Sequence, residues 1–152
     1  MGQFAFGQPV TRTEDPRLLM GRGNYVSDVN LHRQTHGFVL RSPHANAKII
    51  SIDTSTAEKL PGVITILTGS DIQADGLGTT KVTQPHKRPD GSPLYSVPHP
   101  GLVLDQVRYV GDYIAFIVAE TVNQAKDAAE LIEVDYEPLP SITDTASALE
   151  DG

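Results

Sequence analysis

Apolar residues are concentrated in a few short runs beyond residue 35, and each run carries the period of a strand or a helix. Tyr113-Ile114-Ala115-Phe116-Ile117-Val118-Ala119 is nearly all apolar, the composition of a central strand covered on both faces rather than an edge strand with one wet side. Thr121 follows with Gln124 three residues on, the spacing of a capping box, and Val122, Ala125, Ala128, Ala129 and Ile132 then fall on one helical stripe. Glu133 to Tyr136 returns as a strand, closed by Pro138 and Pro140. Upstream, His36 to Arg41 reads as a strand ended by the turn-forming Ser42-Pro43, and Ala47 to Asp53 as the next. Val63-Ile64-Thr65-Ile66-Leu67-Thr68 has the β-branched composition of another.

Between these strands, Ser55 and Glu58 have capping-box spacing and Leu60-Pro61-Gly62 supplies a stop, which predicts a short helix from Thr56 to Leu60. A second helical turn is expected at Ser70-Asp71-Ile72. The order strand, helix, strand thus occurs twice, at 47–68 and 113–136. That order predicts an α+β (mixed α/β) fold with a mixed sheet and two main helices, and argues against an all-β one.

Elsewhere the pattern lapses. In residues 1–35 Phe4, Phe6, Leu18, Leu19, Tyr25 and Val26 are scattered among Gly and Pro, as in an extended N-terminal arm that gains order by docking. From Gly76 to Gly101 the composition turns to Gly, Pro, Thr and polar residues, with Pro85, Pro89, Pro93, Pro98 and Pro100. A loop of that length in a compact domain is expected to be a lid or a contact surface. The body proper is therefore assigned to 36–144, with 145–152 as a tail or linker.

Size and charge narrow the chemistry. A chain of 152 residues is one domain by length and can bury one core. The absence of cysteine excludes disulfides, thiolate metal sites, iron–sulfur ligation and a cysteine nucleophile. The N-terminus shows no basic n-region with an apolar run, and no segment is long and apolar enough to span a bilayer, so a cytoplasmic chain without membrane insertion is expected. A net charge of -7 argues against nucleic acid as partner. The charge is also uneven: residues 1–48 carry six Lys and Arg against three acids, whereas 113–152 carry one lysine against nine acids. Arginines on an otherwise acidic body suggest a protein contact, because guanidinium docks carboxylates bidentately.

No residue combination makes a persuasive active site. His44, just after Ser42-Pro43, reads as a structural hydrogen-bonding group of a turn. His32 and His36 are four apart, but no helix is credible across Thr35-His36-Gly37 and no acidic third ligand is near in sequence, so zinc is not expected. His86 and His99 sit in the long loop, which gives neither a fixed direction. Gly21-Arg22-Gly23 lacks the preceding strand and third glycine of a phosphate loop. Asp53, Thr54 and Ser55 are explained as helix-start groups, and no Gly-x-Ser-x-Gly elbow is present. Glu133, Asp135 and Glu137 alternate along a strand and share one side, most simply the solvent side. Arg108-Tyr109-Val110-Gly111-Asp112 groups cationic, phenolic and acidic residues, yet as the lead-in to a buried strand it reads as a tight bend at Gly111 with Arg108 and Asp112 satisfying local polar groups.

Four ordered blocks carry a family likeness. Glu14-Asp15-Pro16-Arg17-Leu18-Leu19-Met20-Gly21-Arg22-Gly23-Asn24-Tyr25-Val26-Ser27-Asp28 resembles the opening of the large, molybdopterin-binding subunit of the xanthine dehydrogenase and aldehyde oxidase family, especially its carbon-monoxide-dehydrogenase-like bacterial members. The likeness continues through Val39-Leu40-Arg41-Ser42-Pro43-His44-Ala45-Asn46-Ala47, then Leu60-Pro61-Gly62-Val63 with Leu67-Thr68-Gly69-Ser70-Asp71. It ends with Val107-Arg108-Tyr109-Val110-Gly111-Asp112 and Val134-Asp135-Tyr136-Glu137-Pro138-Leu139-Pro140. It implies an N-terminal α/β hammerhead domain in an enzyme that hydroxylates carbon centres or oxidises carbon monoxide. Molybdopterin-bound molybdenum, FAD and iron–sulfur clusters would all lie outside this chain.

No catalytic, cofactor-binding or metal-binding residue is carried over, because the family's pterin-contacting segments and catalytic glutamate lie beyond the hammerhead domain. The expected role is to brace the remaining catalytic domains of the large subunit and its contacts with the flavin and iron–sulfur subunits; homo-oligomerisation is a further option. Candidate contact residues are Arg12, Arg17, Arg22 and Tyr25 in the arm, His86 and Arg88 in the long loop, and Arg41 and Arg108. The alternative is a stand-alone binding or scaffold module with the same fold, since a fold does not fix a function.

Overall fold

The computed structural model describes residues 7, 11–80, 86–94 and 98–149. The chain forms two compact units, Met1–Gln34 and Thr35–Gly152. The first departs from a wholly extended arm. Asp15–Leu19 forms a short helix, α1, with Pro16 in its first turn, where proline's missing N–H costs nothing. Val26–Asp28 forms a 3-10 turn, opened by the Tyr25 N–H donating to Asp28 Oδ2 at 2.9 Å. Neither element buries a residue.

Among the described residues, the second unit holds eight strands: β1 (His36–Arg41), β2 (Ala47–Asp53), β3 (Val63–Thr68), β4 (Thr79–Thr80), β5 (His99–Pro100), β6 (Gln106–Val107), β7 (Tyr113–Ala119) and β8 (Glu133–Pro138). They divide into sheets ordered β1-β7-β3, β6-β2-β8 and β4-β5. The α+β class stands, but every described pair is antiparallel, where a single mixed sheet was expected. Each strand, helix, strand sequence leaves one three-stranded sheet and enters the other, so neither closes a parallel pair.

Strand β7 lies between β1 and β3 and is buried on both faces, as its apolar run requires. Ala115, Ile117 and Ala119 join one core cluster with Ile66, Ala125, Ala128, Ala129 and Ile132. Ile114 points the other way, into a second cluster with Ala47, Val103 and Val107. Leu40, Ile52 and Val134 touch both clusters, so the two sheets share one interior. Ile114, Ile117 and Val107 are fully buried, each worth about 1.5–3 kcal/mol of burial.

Helix α3 (Val122–Glu130) starts where expected, with half of the expected capping box: Thr121 Oγ1 accepts the Gln124 N–H at 3.2 Å, and the Gln124 side chain accepts the Thr121 hydroxyl at 2.8 Å. Its alanines pack against β1 and β7, while Val122, read as part of the stripe, is instead 41% exposed at the first turn. The other helix differs more. Thr56 to Leu60 yields only a 3-10 turn, Ala57–Lys59, without a Ser55 cap. Glu58 accepts the Thr54 hydroxyl at 2.6 Å, and the Ser55 N–H donates to Asp53 Oδ1 at 2.9 Å. Two local side-chain bonds displace the capping box there. A capping box forms instead at α2 (Gly69–Ala74), which starts one residue before the expected Ser70; there the Thr68 N–H donates to Asp71 Oδ2 at 2.7 Å.

The long stretch from 76 to 101 is partly regular. Thr79–Thr80 pairs with His99–Pro100, and Lys87 bridges Pro93 around a turn in which the Arg88 N–H donates to Ser92 O at 2.8 Å. Residues 81–85, with Pro85, and 95–97 lie outside the described residues. No helix of the described residues is long and apolar enough to cross a membrane.

Candidate functional site

The segment from Arg108 to Tyr113 is tied down by local and cross-strand hydrogen bonds. Gly111 sits at φ 93°, a conformation L side chains rarely adopt, and this lets the chain reverse into β7. Its N–H donates to Ser42 O at 2.8 Å, and the Ser42 N–H donates back to Asp112 O at 2.9 Å. That reciprocal pair fastens the bend to the end of β1. The Asp112 side chain, only 7% exposed, completes the bend from within. Its Oδ2 accepts the Arg108 N–H at 3.0 Å and its Oδ1 the Tyr113 N–H at 3.1 Å. The sequence reading of Asp112 as a group satisfying local backbone is thus seen directly.

Around this bend the exposed groups are cationic and aromatic. Arg41 lies over the Tyr113 ring with its guanidinium carbon 4.4 Å from the centroid, and its Nη1 donates to Gly111 O at 3.2 Å. The two residues face each other because β1 and β7 are in register at Arg41 and Tyr113. Arg108 Nη1 donates to Gln106 O at 3.2 Å. Desolvation, followed by the charge of Asp112, pushes the Tyr109 phenol above its ordinary range, while Arg41 pulls it back. The His44 backbone N–H donates to Ser42 Oγ at 3.0 Å, and the His44 ring lies 4.7 Å from that of Tyr136. Burial raises the Tyr136 phenol, opposed by a hydrogen bond with Ser42.

Arg108 and Tyr109 form a ridge between two hollows. One, of about 370 Å³, is lined by His99, Val103, Asp112 and Tyr113. The other, of about 480 Å³, is lined by Asn46, Gln106, Pro140 and Ile142. A third, of about 420 Å³, separates β2 from β3, with Ile50 and Ile66 on its walls and Glu58 and Asp71 at its rim. Both of those carboxylates are engaged by threonines.

The expected contact residues fall into separate groups. Arg12, Arg17, Arg22 and Tyr25 belong to the first unit, where Arg12 pairs with Asp15 at 3.3 Å and Arg17 with Glu14 at 3.1 Å. His86 and Arg88 sit exposed at the turn of the long loop. Arg41 and Arg108 both engage the Gly111 bend, Arg41 through its guanidinium to Gly111 O and Arg108 through its backbone N–H to Asp112. Sequence reasoning missed Tyr113 as the companion of Arg41, and Ser42 as the fastening point. No local pattern pairs Arg41 with Tyr113, which are 72 residues apart. Glu133, Asp135 and Glu137 are exposed along β8, as alternation required.

Among the described residues, no three His, Asp or Glu side chains stand close enough to hold a metal ion together. The assembled groups are suited to recognition: two guanidinium groups and two phenols on a rigid bend.

Residues 20–140 match the family model described as "Aldehyde oxidase and xanthine dehydrogenase, a/b hammerhead domain". The chain is 38% identical over 146 residues to the nicotine 6-hydroxylase large subunit of Paenarthrobacter nicotinovorans, covering 96% of this chain and 17% of that one. It is 42% identical over 139 residues to the carbon monoxide dehydrogenase large chain of Afipia carboxidovorans, covering 91% and 16%. Among solved structures, quinoline 2-oxidoreductase from Pseudomonas putida 86 superposes with a TM-score of 0.83 at 40% identity, over 93% of this chain and 17% of that one. The chain therefore spans about a sixth of the length of these relatives. With the family model covering most of the chain and the fold agreeing, this protein belongs to the aldehyde oxidase and xanthine dehydrogenase family, as its α/β hammerhead domain.

Proposed function

We propose that this chain serves as a structural domain of a molybdenum hydroxylase large subunit. In that role it braces the catalytic domains and the contacts with flavin and iron–sulfur subunits, and performs no chemistry by itself. The observation that carries this reading is the coverage: similarity runs through nearly all of this chain yet occupies only 16–17% of the large subunits it matches. One further relative is described as subunit gamma of a 6-hydroxypseudooxynicotine dehydrogenase complex, which supports a role within a multi-subunit assembly.

The family implies a molybdenum cofactor for the complete enzyme, with flavin and iron–sulfur groups in partners. The residues described here do not fit such a group. Every buried side-chain nitrogen and oxygen among them has a hydrogen-bond partner. The tight spaces beside Gly37, Gly62 and Gly69 are filled from within by Phe116, Gln124 and the Val103 backbone. Among the described residues neither an unpaired buried polar atom nor an open glycine cleft offers a cradle for a pterin, and we assign catalysis to the rest of the subunit.

A chimera tests the reading. Residues 11–149 of this chain replace the aligned segment in the carbon monoxide dehydrogenase large chain of Afipia carboxidovorans, beside a variant with that segment deleted. The chimera is expected to assemble with its flavin and iron–sulfur subunits and the deletion variant to fail. A chimera that fails to assemble like the deletion variant would overturn the bracing role, as would stoichiometric molybdenum in the purified 152-residue chain.

A further inference from the structure

We propose that the Gly111 bend is the docking point for an acidic protein segment, recognised by Arg41 and Arg108 and packed on Tyr109, Val110 and Tyr113. The proposal rests on the bracing role and names the surface and the partner chemistry. Tyr109 is 48% exposed, Val110 66% and Tyr113 39%, so the bend sets two aromatic rings and a valine beside its two arginines. Tyrosine and arginine are the residue types that concentrate in the energetic centres of interfaces, because they bring large contact area with few rotatable bonds or a rigid donor fork.

The sign of the partner follows from local charge. Residues 35–152 carry eight Lys and Arg against sixteen Asp and Glu, yet the bend presents Arg41 and Arg108. The carboxylate among them, Asp112, is buried and already accepts two backbone N–H groups. The guanidinium groups of Arg41 and Arg108 donate to backbone carbonyls and form no ion pair among the described residues, which leaves donors for an incoming carboxylate. His99 lines the adjoining 370 Å³ hollow, which can take the side chain next to that carboxylate. The surface is also preorganised. The reciprocal Ser42 bonds, the Asp112 bonds and the Arg41–Tyr113 stack fix the bend before any partner arrives, so little ordering entropy opposes docking.

The test is a titration of the ¹⁵N-labelled chain with an acetylated, amidated Glu-Asp-Tyr-Glu-Asp-Glu peptide, with an all-lysine hexapeptide and inorganic phosphate at matched ionic strength as comparison arms. Amide shifts are expected at Arg41, His99 and Arg108 to Tyr113 with the acidic peptide, weakening as salt is raised. The Arg41→Glu/Arg108→Glu double variant is expected to bind at least about tenfold more weakly, since it places like charges opposite the peptide. Val110→Glu, which touches none of the bonds holding the bend, is expected to weaken binding as well, and keeps the test open if the double variant misfolds. Shifts located elsewhere, no shifts, equal shifts with phosphate, or unchanged binding by both variants would each overturn the proposal. A peptide that binds as expected beside a chimera that fails to assemble removes the bracing role alone; the reverse pair of results removes the acidic docking alone.

Discussion

Replacing Asp112 with alanine isolates what the buried carboxylate contributes to the domain. In the native bend its two oxygens accept the Arg108 and Tyr113 N–H groups at 3.0 and 3.1 Å, and the residue is 7% exposed. Alanine removes both acceptors and leaves two donors facing a small hollow. A hydrogen bond to a charged acceptor is worth about 1.5–3 kcal/mol. Because Arg108 and Tyr113 border solvent, water recovers part of each bond, and the expected loss is about 2–4 kcal/mol. For a chain of this size that corresponds to a fall in unfolding midpoint of roughly 5–12 °C. Asparagine keeps one acceptor but presents an amide NH₂ to one of the two donors, so Asp112→Asn should fall between wild type and Asp112→Ala. Urea unfolding followed by far-UV circular dichroism measures all three. An Asp112→Ala variant within about 0.5 kcal/mol of wild type would refute the argument, because surface substitutions away from such features fall in that range.

Three further outcomes follow from other parts of the fold. Gly69→Ala should lower stability by about 1–3 kcal/mol despite alanine's better helix propensity. Its Cβ would stand 2.6 Å from the Val103 carbonyl carbon and 2.8 Å from Leu104 Cα, backbone that cannot swing aside; an unfolding midpoint at or above wild type would show that propensity wins. Thr121→Ala removes the oxygen that accepts the Gln124 N–H at the start of α3 and should cost about 1 kcal/mol, whereas Thr121→Ser, read in the same urea series, should recover most of it. The Asp71 carboxyl is held below the usual aspartate range first by the Thr68 hydroxyl and then by the Thr68 N–H. A depressed folded-state value means its stabilisation is present above the unfolded aspartate value near 3.9 and is lost as pH falls through the folded one. An Asp71→Asn chain should therefore show a shallower acid limb below about pH 4, and an NMR titration midpoint for Asp71 at or above 3.9 would contradict the sign.

The secondary elements were legible because each rests on short-range chemistry. The apolar run at 113–119 could be stable only with both faces covered, and β7 is indeed central. Thr121 with Gln124 marked the start of α3, since a cap needs only three residues of sequence. Where two local options competed, the reading slipped: Asp53 and Thr54 took the groups that a Ser55 capping box would have used. Val122 fitted the helical stripe by spacing, but in the first turn it lies beyond the edge of the sheet contact and stays exposed. The four family blocks were recognisable as well, because a motif is carried by residue order.

Sheet partnership and the composition of the Gly111 surface depended on long-range pairing. A strand's period says which face is apolar and nothing about which neighbour satisfies its backbone, so an order of strand, helix, strand was compatible with one mixed sheet or with passage between two antiparallel ones. Packing decided for two sheets, because Leu40, Ile52 and Val134 can serve both core clusters only if the sheets share an interior. The same closure brought Ser42 to Gly111 and set Arg41 over Tyr113. By itself, the sequence determined most of the local elements, the exclusion of cysteine chemistry and the family. Only the tertiary structure decided which cations meet which aromatics, because contacts between residues 72 apart depend on strand register rather than on any local pattern.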